Sequence, residues 1–434
     1  MKNKVLVPVL LIAGLLSLSA CSLFNDDDLA YTNVYNDPEP EAPVIDYDHY
    51  TRGVQGKIIE ATPNAYCYKN ICYAENEKII NTYKEGGENY LPTLGYNVNN
   101  GEDYFANKSS NNYDLYVPNS VAKNAEHTVL LFIHGGAWVS GFKTSVNQYV
   151  HEFANRGYIT ATVKYKLLDR KMDNPSLSIF RDLDEIDACI ASIKLALEEL
   201  HFDTTKTSLV IGGASSGAHL TMLYAYSRGH KSALPIEFLV DAVGPVEIKP
   251  RAWKTFKVVN DAVLNAGLTS AAIEQQELND NLGRLSIAEE KDDDNNPVYW
   301  NDYQTMRIAN GMCGLPNSVD DVKSSSSNKE TINNPNAAST LMTKDEGGED
   351  LLSVTYWINH TTNNFKIICA YAGMDNIIGI AQYAQLEKAL DAKGIEHSEL
   401  HYFKDSNHTE ITAKKNPTAY NGFIGEINEW LEAL

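Results

Sequence analysis

Ser208-Leu-Val-Ile-Gly-Gly-Ala-Ser-Ser-Gly-Ala-His-Leu220 decides how this chain is read. A short apolar run enters Gly213-Ala-Ser215-Ser-Gly217, and a helical pattern follows at once. This is the G-x-S-x-G pattern in the strand–turn–helix setting it needs. The turn must be sharp enough to leave the hydroxyl of Ser215 exposed. A Cβ two residues to either side would crowd the backbone there, so both flanking positions are glycine. Ser216, in the frame flanked by Ala214 and Ala218, is the competing nucleophile.

A reactive serine needs a base to take its proton, and the base needs an acid to orient it. Downstream, Ala370-Tyr-Ala-Gly-Met-Asp375 sets an aspartate just past the end of an apolar strand. After a helix and another strand comes Asp405-Ser-Asn-His408. The chain order is then Ser215, Asp375, His408, with each residue at the carboxyl end of a strand, where α/β sheets gather their ligands. Asp405 is the alternative acid, although it reads as a turn former. His397 and His401 are the alternative bases, and His401 falls inside the strand pattern. A developing oxyanion needs preorganised N–H donors. Ser216 offers one, and the strand-end loop His134-Gly135-Gly136-Ala137-Trp138 offers bare amides at Gly136 and Ala137. His134 and Trp138 themselves read as packing residues of that loop.

From residue 110 onward strands and helices take turns. Strands are expected at 127–133, 158–163, 208–211, 236–243, 365–371 and 399–403. Helices are expected at 146–156, around 184–200 (with Ile186, Ile190, Ile193 and Leu197 on one face), around 380–393 and at 421–434. Such alternation predicts an α/β fold, a mostly parallel central sheet with helices on both faces. Between about 250 and 351 the rhythm breaks into Asp-, Asn-, Ser- and Glu-rich sequence. We read this as an inserted cap or lid with helical pattern over 258–282, since a structureless loop of that length is unusual in a compact domain. A disordered decoration is the competing reading.

The chain resembles α/β-hydrolases of the HGGxW esterase type, akin to the hormone-sensitive-lipase, acetyl/feruloyl esterase and kynurenine-formamidase-like groups. The likeness rests on residues 134–138, Tyr165, 213–220, Gly373-Met-Asp375 and Asn407-His408, and spans about 110–248 and 352–434. It implies Ser215 as nucleophile, Asp375 as orienting acid and His408 as base. Gly136, Ala137 and Ser216 would be the oxyanion donors, with no metal or organic cofactor. Ser216 stands where many relatives have alanine, and Asp375-Asn-Ile-Ile is a less typical acid loop.

The N-terminus reads as a targeting segment. Lys2 and Lys4 precede a short apolar run, Val5 to Leu18, interrupted by Pro8, which suits a secretory segment better than a spanning helix. Leu18-Ser19-Ala20-Cys21 looks like a bacterial lipobox, implying cleavage of 1–20, lipidation of Cys21 and a membrane-held protein outside the cytoplasm; an ordinary signal peptide or uncleaved anchor is the alternative. Residues 21–50, with Asp26-Asp27-Asp28 and alternating Pro and Glu, read as an acidic tether. The domain then spans 51–434, with an N-terminal extension over 51–110.

The 434 residues suffice for a large core, and a formal charge of −21 argues against nucleic acid as a partner. A small-molecule or glycan-linked ester is the expected substrate. Cys67 and Cys72 are close enough in sequence to pair, which an exported compartment permits. Cys189 and Cys369 read as buried apolar residues, and no Cys/His spacing resembles a zinc site.

Overall fold

The computed structural model describes residues 58–62, 65–73, 111–168, 179–247, 272, 286–291, 297–299, 352–375, 377–412 and 414–434. All lie in the compact unit Asp46–Leu434. The expected leader, Cys21 and the tether fall outside these residues, as does Cys313.

In chain order the elements are β1 (Ile58–Thr62), β2 (Ala65–Cys72), β3 (Asn112–Pro118), β4 (His127–Ile133), α1 (Asn147–Asn155), β5 (Ile159–Lys164) and α2 (Ile179–Glu199). They continue as β6 (Thr207–Ala214), α3 (Ser216–Arg228), β7 (Ile236–Ala242), β8 (Ser286–Lys291), β9 (Pro297–Tyr299) and α4 (Val354–His360). The last are β10 (Lys366–Ala372), α5 (Ala381–Lys393), β11 (His401–Phe403) and α6 (Pro417–Glu432). Nine strands form one sheet in the order β1-β2-β3-β5-β4-β6-β7-β10-β11. From β5 through to β11 the pairings are parallel, and β1, β2, β3 and β5 pair antiparallel.

The residues explain this layout. β4 and β6 are nearly continuous apolar runs, as strands covered on both faces must be. Ile186, Ile190, Ile193 and Leu197 of α2 are fully buried, which matches the face read from their spacing. On α6 the stripe Phe423, Ile424, Ile427 and Leu431 is buried. This helix starts four residues ahead of the expected Asn421, because Pro417 at its first turn loses no hydrogen bond there. The last strand is shorter than 399–403. Within the expected cap, β8 and β9 form a separate two-stranded sheet and Ala272 is helical; the rest of 250–351 lies outside the described residues.

The N-terminal extension is part of the sheet. Its β2 pairs with β3, and the two are tied to the loop after β4 by a buried ammonium. Lys143 Nζ donates to Asn70 Oδ1 (2.6 Å), Asn112 Oδ1 (2.6 Å) and Asp114 Oδ1 (2.7 Å). Three acceptors for three protons offset the desolvation of the charge.

The expected pairing of Cys67 with Cys72 does not occur. Both lie on β2, and a strand advances about 3.3 Å per residue, which puts their Cα atoms far beyond the roughly 7 Å a disulfide can span. Burial pushes the Cys67 thiol up to about 12. Cys189 and Cys369 are fully buried, as read from the sequence.

The two sides of the insertion meet at the sheet. Val354 N–H donates to Val246 O (2.8 Å), and Thr355 Oγ1 donates to Glu247 Oε1. Gln382 Oε1 accepts from the amides of Val246 and Glu247, each at 2.7 Å.

Near the carboxyl end of β7 sits Asp241, fully buried. It accepts from Gly244 N–H at 2.7 Å, and Tyr371 Oη stands 2.8 Å from its other oxygen and 2.7 Å from Gly244 O. Tyr371 has one proton for two acceptors, so the cluster is complete only when Asp241 is protonated and donates to Tyr371. Burial correspondingly raises the Asp241 carboxyl to about 7. Between about pH 4 and that value the folded chain holds a proton that the unfolded chain has released. This contribution to stability is full at the acid end and is lost as pH rises through the folded value. Asp241→Asn keeps the acceptor for Gly244 and supplies a permanent donor to Tyr371. Thermal melts of variant and wild type are expected to diverge by on the order of 3 kcal/mol between about pH 5 and pH 8, the variant gaining at high pH. Parallel stability curves would refute the assignment.

Candidate active site

The bend after β6 is as sharp as its glycines require. Ser215 has φ 55° and ψ −125°, outside the regions open to most residues. A Cβ on Gly213 would lie 2.3 Å from the carbonyl of Gly217, and one on Gly217 would lie 2.2 Å from Ile133 O. The strand end, the helix start and β4 thus pack backbone to backbone. Ser215 N–H donates to Ala242 O (2.8 Å), which levels the serine with the end of β7.

Three loops at the carboxyl edge of the sheet then converge. His408 Nε2 is 2.8 Å from Ser215 Oγ, and His408 Nδ1 is 2.6 Å from Asp375 Oδ2. A carboxylate only accepts, so it fixes the ring proton on Nδ1 and leaves Nε2 bare towards the serine hydroxyl. Asp375 is 1% exposed, and its other oxygen accepts from the amides of Ile377 (2.8 Å) and Ile378 (2.9 Å). The acid loop and the histidine loop are stitched together by Gly373 N–H to Phe403 O (2.9 Å) and Met374 N–H to Ser406 O (3.0 Å). The alternatives are engaged elsewhere: His397 meets Asp391 (3.1 Å), His401 meets Glu426 (2.6 Å), and Asp405 is exposed in a turn.

On the other side of Ser215, Gly136, Ala137 and Trp138 have φ of 124°, 51° and 63°. Three successive positive-φ residues make this an irregular, sharply turned loop. Gly136 O is tied back by Val139 N–H (3.1 Å), Ser140 N–H (2.9 Å) and Ser140 Oγ (2.8 Å). Ser216 is the first residue of α3, so its N–H has no partner within the helix. Ser215, His408 and Asp375 therefore form one continuous series of contacts, and the loop of Gly136 and Ala137 approaches it through Gly135, whose added Cβ would lie 2.9 Å from Ser215 Cβ. His134 is neutral packing. It is fully buried, stacked on Tyr165 at 4.5 Å between ring centroids, and burial lowers its ring to about 4. Tyr165 Oη donates to His134 O (3.1 Å). Trp138 is 3% exposed, a packing residue as read.

Among the described residues, no cluster of three or more His, Cys, Asp or Glu is placed to hold a metal ion. His219, one helical turn beyond Ser215, and Asp241 were not singled out in the sequence. A lone acid in the apolar run of β7, and a histidine at i+4 from Ser215, were the available signals.

Residues 113–281 match the model of the BD-FAE family. That match covers less than half of the chain and marks this stretch as similar to the family, and the nine-stranded, mostly parallel sheet with its helices is an α/β architecture. Among solved structures the chain is similar to esterase B from Lactobacillus rhamnosis HN001, at 15% identity over 75% of this chain and 78% of that one, TM-score 0.42. It is likewise similar to a bacterial heroin esterase (16%, 74% and 80%, TM-score 0.44). Thermogutta terrifontis esterase 2, solved phosphonylated by sarin, is a third (14%, 74% and 89%, TM-score 0.43). No curated protein matches the chain. The BD-FAE match ends inside the insertion, so it includes the loop of Gly136 and Ala137 and the bend of Ser215, and not Asp375 or His408.

Proposed function

We propose that this chain is an α/β-hydrolase that cleaves carboxylic esters through an acyl-enzyme on Ser215, outside the cytoplasm and held to a membrane by lipid on Cys21. The observation that carries the chemistry is the continuous contact from Ser215 Oγ through His408 to Asp375, at 2.8 and 2.6 Å. His408 Nε2 takes the hydroxyl proton as Ser215 Oγ attacks the ester carbonyl. The oxyanion that forms is met by the amides of Gly136, Ala137 and Ser216. His408 then returns the proton to the leaving alkoxide, and water, deprotonated by the same ring, attacks the acyl-serine to release the acid. Asp375 stabilises the imidazolium throughout. The membrane assignment rests on Lys2, Lys4, the apolar run and Leu18-Ser19-Ala20-Cys21. The substrate class is a small-molecule or glycan-linked ester.

The mature protein is expected to turn over p-nitrophenyl acetate and to take up one fluorophosphonate, found by mass spectrometry on the peptide that holds Ser215. Label on another hydroxyl, or no turnover of any short ester, would end this reading. A tenfold or greater preference for peptide amides would recast the chain as an amidase. In bacterial cells, Cys21→Ala is expected to abolish labelling by a fatty-acid probe; undiminished labelling removes the anchor.

A further inference from the structure

The three amides proposed to receive the oxyanion come from two separate elements, the loop after β4 and the first turn of α3. Stabilisation of this kind depends on geometry held to about half an ångström, so the two halves must be kept in register. One residue links them, His219, through its backbone in the first turn of α3 and through its ring on the loop. His219 N–H donates to Ser215 O (3.1 Å), and the His219 ring meets Trp138 edge to face, with centroids 5.4 Å apart and planes at 85°. Trp138 follows Ala137 directly, and its carbonyl is held by Leu168 N–H (2.9 Å).

The His219 ring is itself fixed. It is fully buried, and Nε2 lies 2.8 Å from Leu352 O at the return from the insertion. A carbonyl only accepts, so Nε2 carries the proton and Nδ1 is bare. Burial lowers the ring to about 4, which keeps it neutral. The contact is expensive to maintain. Ala137 and Trp138 both have positive φ, and among the described residues Trp138 Nε1 and His219 Nδ1 are buried with no hydrogen-bond partner. Each such feature destabilises the folded state. A core selected for stability alone would shed them, and costs of this sort gather where geometry serves function.

We propose that His219 is a positioning residue whose ring braces Trp138 and thereby holds the amides of Ala137 and Ser216 in one geometry. This rests on the esterase reading above. The test is turnover of p-nitrophenyl acetate per active site, counted by fluorophosphonate titration, in the full mature chain. His219→Leu removes the aromatic partner and is expected to lower kcat about 10- to 100-fold with KM within about twofold, because the interaction lost matters in the transition state. His219→Phe restores a ring and is expected to recover at least tenfold over the leucine variant. Trp138→Leu probes the same contact from the other side. The double variant is expected to be no slower than the slower single, since both remove one interaction. Wild-type kcat in His219→Leu, a loss carried by KM, no recovery with phenylalanine, or losses that multiply in the double variant would each overturn the brace. Should His219→Leu fail to fold, His219→Met, which also removes the ring, and Trp138→Leu with their double variant close the same cycle. Wild-type protein that neither turns over esters nor labels on Ser215 removes the esterase reading itself. Normal turnover and labelling with multiplicative losses remove only the brace.

Discussion

Ser215→Ala is expected to lower kcat on a short-chain ester by about 10⁴- to 10⁶-fold and to leave KM within a few-fold. The hydroxyl at 2.8 Å from His408 is the only atom removed, so ground-state binding has little to lose. The amides of Gly136, Ala137 and Ser216 remain, and with binding they sustain a residual rate of about 10³- to 10⁴-fold over water. Stability should not fall, because Ser215 holds its bend with its backbone: its N–H donates to Ala242 O and its carbonyl accepts from Ala218 and His219. The positive φ at this position is met by the same Cβ in alanine as in serine, so the exchange adds no backbone strain. Initial rates against p-nitrophenyl acetate, with a melt as control, check both statements. A loss under about 100-fold in a folded variant would transfer the nucleophile elsewhere, with Ser216 first in line.

Asp375→Asn is expected to cost about 10⁴-fold in kcat near neutral pH, by a route the geometry makes explicit. One oxygen of Asp375 accepts from the amides of Ile377 and Ile378. An asparagine must turn its carbonyl oxygen towards those two donors, which leaves its NH₂ facing His408. The ring then presents a bare Nδ1 to that NH₂, and its proton moves to Nε2, where it opposes the serine proton instead of receiving it. The variant should fold, and its fluorophosphonate reaction should slow in parallel with kcat. A loss below tenfold would show that Asp375 does not orient His408. An equal loss in Asp405→Asn would point to the turn residue beside the base.

Much of this was legible in the sequence because the chemistry is tied to strand ends. The continuous apolar runs of β4, β6 and β10 announced buried parallel strands, and Ser215, Asp375 and His408 then fell just past the carboxyl ends of β6, β10 and β11 without knowledge of any contact. The spacing of Ile186, Ile190, Ile193 and Leu197 specified a face that is buried as read. What was not legible depends on packing between distant segments. Cys67 and Cys72 looked close in sequence, yet distance along an extended strand accumulates too quickly for pairing. Lys143 carried no pattern of its own, since its three acceptors come from residues 70, 112 and 114 and meet only when β2 and β3 enter the sheet. His219 and Trp138 each belonged to a recognised stretch, but their contact is a property of the fold and not of either stretch.

The join at Val246 and Val354 bears on how this chain can change over evolutionary time. Where a detour leaves and re-enters at neighbouring backbone positions, lengthening it adds only about 0.6 kcal/mol of closure entropy per doubling. The hundred or so residues in between can therefore be rewritten, trimmed or extended at little cost to the sheet that holds Ser215, His408 and Asp375 in place.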